Sequence, residues 1–185
     1  MNPLLLDLPE QLVTERLILR PARAGDGAEL NRAVRESRPE LRRWMPWAQK
    51  PSTVDESEAF CRQAVANFTT RKDLMVLLWL KDQPVLVGGS GLHRIDWSIP
   101  KFEIGYWIRT RFTRQGYATE AVQAIARFAR KNLKAKRIEI RVDARNRRSW
   151  RIAERLGFAL EGILRHDARS PDGRLRDTRI YARVF

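Results

Sequence analysis

The chain has 185 residues, 43% of them hydrophobic and 31% charged, a balance that excludes a fibrous or disordered polymer and fits one globular domain. Its formal net charge of +14 rests mostly on arginine, since only seven of the 36 basic residues are lysine, and it is spread along the whole chain. Such a charge fits a solvated basic surface, a polyphosphate ligand or an acidic macromolecular partner, and selects none of them.

The first thirteen residues carry leucines but no basic n-region and no small-residue cleavage site, so they read as a leader arm of a cytoplasmic protein. No apolar run reaches the ~20 residues that a membrane helix needs. Thr14 to Pro21 alternates polar and apolar residues and predicts a strand. Asp26 with Glu29 resembles a capping box opening a helix that ends near Ser37. An apolar loop follows, Trp44-Met45-Pro46-Trp47, and then a second capping box, Thr53 with Glu56. The helix it opens carries Phe60, Ala64, Val65 and Phe68 on one face; Cys61 lies on it and reads as a small buried hydrophobe, and as the sole cysteine it excludes an internal disulfide and a cysteine zinc site.

Leu74 to Leu80 is continuously apolar, as in a strand buried on both faces. Val85 to Ile95 predicts a strand interrupted by Gly88-Gly89-Ser90-Gly91, which points to a bulge or a close backbone approach. Phe102 to Ile108 predicts a strand, Tyr117 to Asn132 a helix, Arg137 to Asp143 a strand, and Asn146 to Leu156 a helix closed by Gly157. Phe158 to Leu164 and Leu175 to Phe185 finish as strands around the turn Ser170-Pro171-Asp172-Gly173. One mixed α/β domain over 1–185 accounts for this order.

The chemistry centres on a strand, a short glycine-containing loop and a helix: Phe102–Ile108, then Arg109–Gly116, then Tyr117 onward. A helix start exposes unpaired N–H groups and the positive end of the helix dipole, and a glycine there lets an anion approach the backbone. Arg109, Arg111 and Arg114 flank this loop, so it reads either as a phosphate site or as a plain connecting turn. The loop is neither a Walker loop nor a dinucleotide fingerprint, because it lacks their glycines and lysine. A second element, Asn146-Arg147-Arg148-Ser149, opens the next helix, and its Asn and Ser are also good capping residues.

Taken together, Gly116-Tyr117-Ala118-Thr119-Glu120-Ala121, then Asn-x-x-Ser and Leu156-Gly157-Phe158, resemble the GCN5-related N-acetyltransferase family. Glu103-Ile104-Gly105-Tyr106-Trp107 and the opening Thr14-Glu15-Arg16-Leu17 are similar to the branch of ribosomal-protein alanine and serine N-acetyltransferases, RimJ/RimL-like. The resemblance runs from Thr14 to Phe185 and implies an acyl-CoA N-acyltransferase fold. That fold is a twisted mixed sheet, splayed where strand 102–108 parts from strand 137–143, with helices on both faces.

The resemblance further implies that acetyl-CoA is the cosubstrate and lies in the splay. Its pantetheine arm would run along Tyr106, Trp107 and Ile108, and its pyrophosphate would sit on Arg114, Gln115, Gly116, Tyr117, Ala118 and Thr119. Asn146 would meet the pantetheine, and Ser149 would lie near the sulfur. Ser149 would replace the tyrosine acid of other relatives, whose position is Ala153 here. Thr113 stands where many relatives carry Gln or Arg. Glu103 is the first candidate base, with His166 and Asp167 behind it, while His93 reads as packing beside the glycine run. Trp44, Met45 and Trp47, with Glu103, are the candidate acceptor site, because the loop between the first two helices borders that pocket in this branch.

The implied reaction is direct attack of a primary amine on the thioester in a ternary complex, with no metal. The acceptor is expected to be a protein or peptide N-terminal amine, with ribosome association compatible, as a monomer or homodimer without a membrane. A small-molecule amine, a CoA-binding pseudoenzyme and a ribosome- or RNA-binding module are the other readings.

Overall fold

The computed structural model describes residues 2–185. A two-residue strand β1 (Leu12–Val13) pairs with β2 (Leu17–Arg20). Then come helices α1 (Gly27–Leu41) and α2 (Val54–Thr69), and strands β3 (Leu74–Leu80), β4 (Leu86–Asp96) and β5 (Lys101–Ile108). Helix α3 (Tyr117–Asn132), strand β6 (Arg137–Asp143), helix α4 (Arg147–Arg155) and the hairpin β7 (Ala159–Arg169) and β8 (Leu175–Val184) complete the chain. The predicted order holds throughout, with β1 added inside the leader arm. Among the described residues no helix is long and apolar enough to cross a membrane.

Eight strands form one sheet in the order β1-β2-β3-β4-β5-β6-β8-β7. Among the described residues only β5 and β6 run parallel, and they pair over three residues, Lys101 to Glu103 against Arg137 to Glu139. Beyond Glu103 the two strands part, whereas β4 follows β5 as far as Ile108. The sheet is therefore splayed at its centre, and β5 presents a free edge from Ile104 onward.

The apolar run of β3 is explained by a core on each side of the sheet. Leu74, Val76 and Leu78 pack with Val122, Ile125 and Ala129 of α3, while Leu77, flanked by Met75 and Trp79, packs with Leu30, Ala33, Cys61 and Ala64 of α1 and α2. Cys61 is fully buried, and burial pushes its thiol up to about 11, which keeps it protonated.

Two local expectations gave way to tertiary contacts. The Thr53 capping box forms in both halves, but Asp26 makes no cap. Asp26 instead takes a two-pronged ion pair from Arg20 at 2.7 and 2.8 Å. The N-terminus of α1 is served from outside, by Glu58 of α2 accepting from Gly25 and Gly27. The N–H of Gly25 is the main cause that holds the Glu58 carboxyl below its ordinary range. Helix α1 also runs past Ser37 to Leu41 with Pro39 inside it. Ser37 and Leu41 continue the buried stripe of Leu30 and Ala33, so packing offsets the hydrogen bond that the proline removes.

Candidate functional site

Gly116 is the N-cap of α3, with φ +87° in the left-handed region that a glycine enters freely. Arg114, two residues earlier, is also left-handed at φ +64°. Among the described residues no protein acceptor meets the N–H groups from Arg114 to Thr119; the first bond of the helix is Glu120 N–H to the Gly116 carbonyl, 3.0 Å. These are six successive unpartnered donors at a helix start with Gly116 exposed, a cradle of the kind that receives anions.

The cradle is locked by the first motif of the chain. Glu120 accepts from the Thr14 hydroxyl at 2.6 Å and from the Arg16 N–H at 2.9 Å, and the Arg16 guanidinium pairs with its other oxygen. Arg16 also donates to the Gln115 carbonyl at 2.9 Å and stacks over the Tyr117 ring. Burial pushes the Glu120 carboxyl upward, but these donors outweigh it and leave the group below its ordinary range. Thr14 and Arg16 thus position the loop from about a hundred residues away.

The arginines flanking the loop do not all face it. Arg109 is turned inward, 2% exposed, and bridges Glu29 at 2.9 Å and Glu36 at 2.8 Å on α1. Arg111 lies 3.7 Å from Glu36, whereas Arg114 is exposed. The expectation that Arg109 borders the anion site is corrected: the carboxylates on α1 are the partners that let its charge be buried. Thr113 donates to the Thr110 carbonyl and shapes the turn before the cradle.

Across the splay, Asn146 caps α4 by accepting the Ser149 N–H at 3.2 Å. The Ser149 hydroxyl is therefore not the cap; it donates to the Tyr106 phenol oxygen at 3.1 Å, and that phenol donates to the Ser149 carbonyl at 2.8 Å. Burial pushes the Tyr106 phenol up to about 12, so both hydroxyls are protonated at neutral pH. The pair ties the end of β5 to the start of α4. Sequence reading named Tyr106 for its backbone only; its phenol gave no local signal, since its partner is 43 residues away.

On the other sheet face a cavity of about 440 Å³ lies between α1, α2 and the strands β3 to β5. Its walls include Met45, Trp47, Phe60, Met75 and Trp107, with His93, Lys50 and Glu56 as titratable members. Trp47 meets Trp107 edge to face at 6.1 Å. Trp44 does not line this cavity, and neither does Glu103. Glu103 sits opposite His93 in register and 3.5 Å from Arg94. Burial pushes its carboxyl above the ordinary range, against the pull of Arg94, Arg141 and His93. His166 and Asp167 lie on β7; Asp167 is paired with Arg141 at 3.2 Å.

The glycine run of β4 makes room for this cavity. A Cβ on Gly89 would stand 2.6 Å from the Trp107 indole nitrogen. Both features expected of the run are present: the register with β3 shifts between Leu78 and Trp79, beside Gly88, and backbone approaches closely, since a Cβ on Gly88 would run into the Trp107 carbonyl and one on Gly91 would stand 2.7 Å from the Leu74 carbonyl.

Residues 16–159 match the family model described as an acetyltransferase (GNAT) domain. The chain is 29% identical over 176 residues to the N-acetyltransferase p20 of Bacillus licheniformis, covering 94% of this chain and 95% of that one. It is 30% identical over 111 residues, 60% of each chain, to the ribosomal-protein-serine acetyltransferase of Escherichia coli (strain K12). Among solved structures, the microcin C7 self-immunity acetyltransferase MccE, crystallised with acetyl-CoA and AMP, superposes with TM-score 0.88 at 24% identity, over 96% of this chain and 98% of the other.

Proposed function

This chain belongs to the GNAT acetyltransferase family, and from that premise we propose that it acetylates the N-terminal α-amine of a protein or peptide, taking the acetyl group from acetyl-CoA. The observation that carries the reading is the arrangement about β5. The free edge and the N–H cradle lie on the splay, the apolar cavity lies on the opposite face, and Gly105, Tyr106 and Trp107 border that cavity.

The free edge of β5 from Ile104 offers backbone groups to the amides of a pantetheine arm, as a strand edge does to an added strand. The Arg114–Thr119 N–H groups hold the pyrophosphate, and Arg127, Lys131 and Arg155, which line a groove beyond Gly116, suit the phosphorylated adenosine end. The amine nitrogen attacks the thioester carbon, the new N–C bond forms as the C–S bond breaks, and the sulfur leaves with the electron pair and gains a proton. Ser149 supplies that proton, its hydroxyl being held at the cleft by Tyr106. Replacing Ser149 by Ala is expected to lower kcat by up to ~10²-fold while the acetyl-CoA Kd stays within about twofold, because charge on sulfur develops only in the transition state. Single-turnover rates alongside calorimetric titration check this, and an unchanged chemical step removes Ser149 from the reaction.

An α-amine has a pKa near ~8, so about a tenth is already neutral at pH 7, whereas a lysine amine near ~10.4 is almost wholly charged. A site with few titratable groups therefore suits the former. The E. coli relative named for a ribosomal-protein serine supports a protein acceptor. The cavity would take the side chain of the first residue between Met45, Phe60 and Trp107. Met45→Arg is expected to raise the acceptor KM about tenfold or more and to spare the acetyl-CoA KM. Thiol release measured with a panel of N-terminal peptides and small amines tests the acceptor. Turnover of a small amine far above every peptide would move the acceptor class and leave acetyl transfer standing.

A further inference from the structure

The proton lost by the attacking amine needs an acceptor on the cavity side of β5, because the Ser149 and Tyr106 hydroxyls stand at the splay. Glu103, opposite His93 in register, does not line the cavity, and its carboxylate faces Arg94 at 3.5 Å. His93 is on the wall. Its Nδ1 is 2.7 Å from Asp73 Oδ2, in the segment before β3, and both side chains are 31% exposed.

The imidazole is seated on Gly105. A Cβ there would lie 3.1 Å from its Cδ2 and 3.3 Å from its Nε2, with no other group in reach, so a side chain at Gly105 would crowd the ring off its seat. Gly91 lies beside Cε1, but a Cβ at Gly91 would first meet the β3 backbone, 2.7 Å from the Leu74 carbonyl and the Met75 Cα. Nε2 has no protein hydrogen-bond partner among the described residues, and Asp73 occupies the other nitrogen. A carboxylate on Nδ1 fixes the tautomer in which Nε2 carries the free lone pair.

We infer that His93, held by Asp73, is the general base that removes the proton from the acceptor amine. The inference rests on the acetyl-transfer reading above and adds the group that reading lacks. Gly105 and Tyr106 are consecutive on β5, so their substituents fall on opposite faces of the sheet. The base on Gly105 and the hydroxyl pair at Tyr106 therefore stand on the two sides of one strand. The amine proton passes to His93 Nε2, the amine nitrogen bonds to the acetyl carbon, and the departing sulfur takes a proton from Ser149. The proton on His93 returns to solvent through the open cavity, and Ser149 recovers one from solvent. Asp73 acts through His93 and is a positioning residue.

The groups facing His93 are Asp73, Glu103 opposite it on β5, and Lys50 and Glu56 on the cavity wall, with Arg94 and Arg141 acting on Glu103. The test is the pH profile of kcat/KM for the acceptor, from pH 6 to 9, in the unaltered enzyme and in His93→Ala, Asp73→Asn and Glu103→Gln. His93→Ala is expected to lose ~10²- to 10³-fold at pH 7. The loss should shrink as rising pH deprotonates the amine without help, the acetyl-CoA Kd should be unchanged, and added imidazole should restore part of the rate. Asp73→Asn should lower kcat and leave the acetyl-CoA Kd unchanged, because an amide no longer fixes the tautomer that leaves Nε2 its lone pair.

A His93→Ala enzyme with the wild-type profile, or one slowed equally at every pH and indifferent to imidazole, overturns the assignment. So does a Glu103→Gln enzyme that alone loses the acidic limb. If the unaltered enzyme acetylates a small amine and no peptide, the protein acceptor fails, and the same profiles on that amine still decide His93.

Discussion

Gly116→Asp is expected to weaken acetyl-CoA binding by about 10²-fold or more, roughly 2.7 kcal/mol at 1.36 kcal/mol per tenfold change. Two effects add. At φ +87° an L side chain is strained, at about 1–2 kcal/mol, and part of that strain is relieved by pulling the cradle out of shape. The second effect is charge: the carboxylate would stand among the N–H groups of Arg114 to Thr119, where the pyrophosphate must lie. Arg16, whose Nη2 would be 3.2 Å from the new Cβ, is already engaged by Glu120 and is a poor partner for it. Gly116→Asn carries the strain without the charge and is expected to lose several-fold less. Calorimetric titration of acetyl-CoA into both variants separates the two effects. Equal affinity in Gly116→Asp and the unaltered protein would place the phosphates elsewhere.

Arg109→Met is expected to lower stability by about 3 kcal/mol, at the lower end of what breaking a buried ion pair costs, since the two carboxylates are partly exposed. For a chain of this size that corresponds to a fall in Tm of roughly 6–12 °C. The methionine fills much of the arginine's volume, so the loss reports mainly the abandoned Glu29 and Glu36 and the Leu86 carbonyl that Arg109 also reaches at 3.4 Å. Arg109→Lys should fall between the two, because a single ammonium cannot meet two carboxylates as a guanidinium fork does. The arginine fastens α1 to the exit of β5, where the Thr110 N–H donates to Ser37 on the same helix. Partial loosening of the 110–116 segment should therefore accompany the loss, seen as faster hydrogen exchange there. An unchanged Tm would mean that water takes over both carboxylates without cost.

What the sequence determined by itself was what local pattern encodes. The periodicity of α3, the two-sided apolar run of β3 and the Thr53 capping box are each written in consecutive residues, and each stands where it was read. Gly116 before Tyr117, and Asn146 three residues before Ser149, mark helix starts in the same local way. The combined motifs also pointed to the family that the domain match shows.

Tertiary structure decided what depends on partners far along the chain. Pro39 stays helical because Leu41 has a core to enter, and Asp26 abandons its cap because Arg20 offers a forked ion pair. Arg109 faces inward because two carboxylates on α1 make its burial tolerable. Thr14 and Arg16 find Glu120, Tyr106 finds Ser149, and Asp73 finds His93, through contacts that span 20 to 106 residues. A polar side chain carries no record of which distant group will satisfy it. That choice follows from the register and splay of the sheet, which fix the faces on which those groups meet.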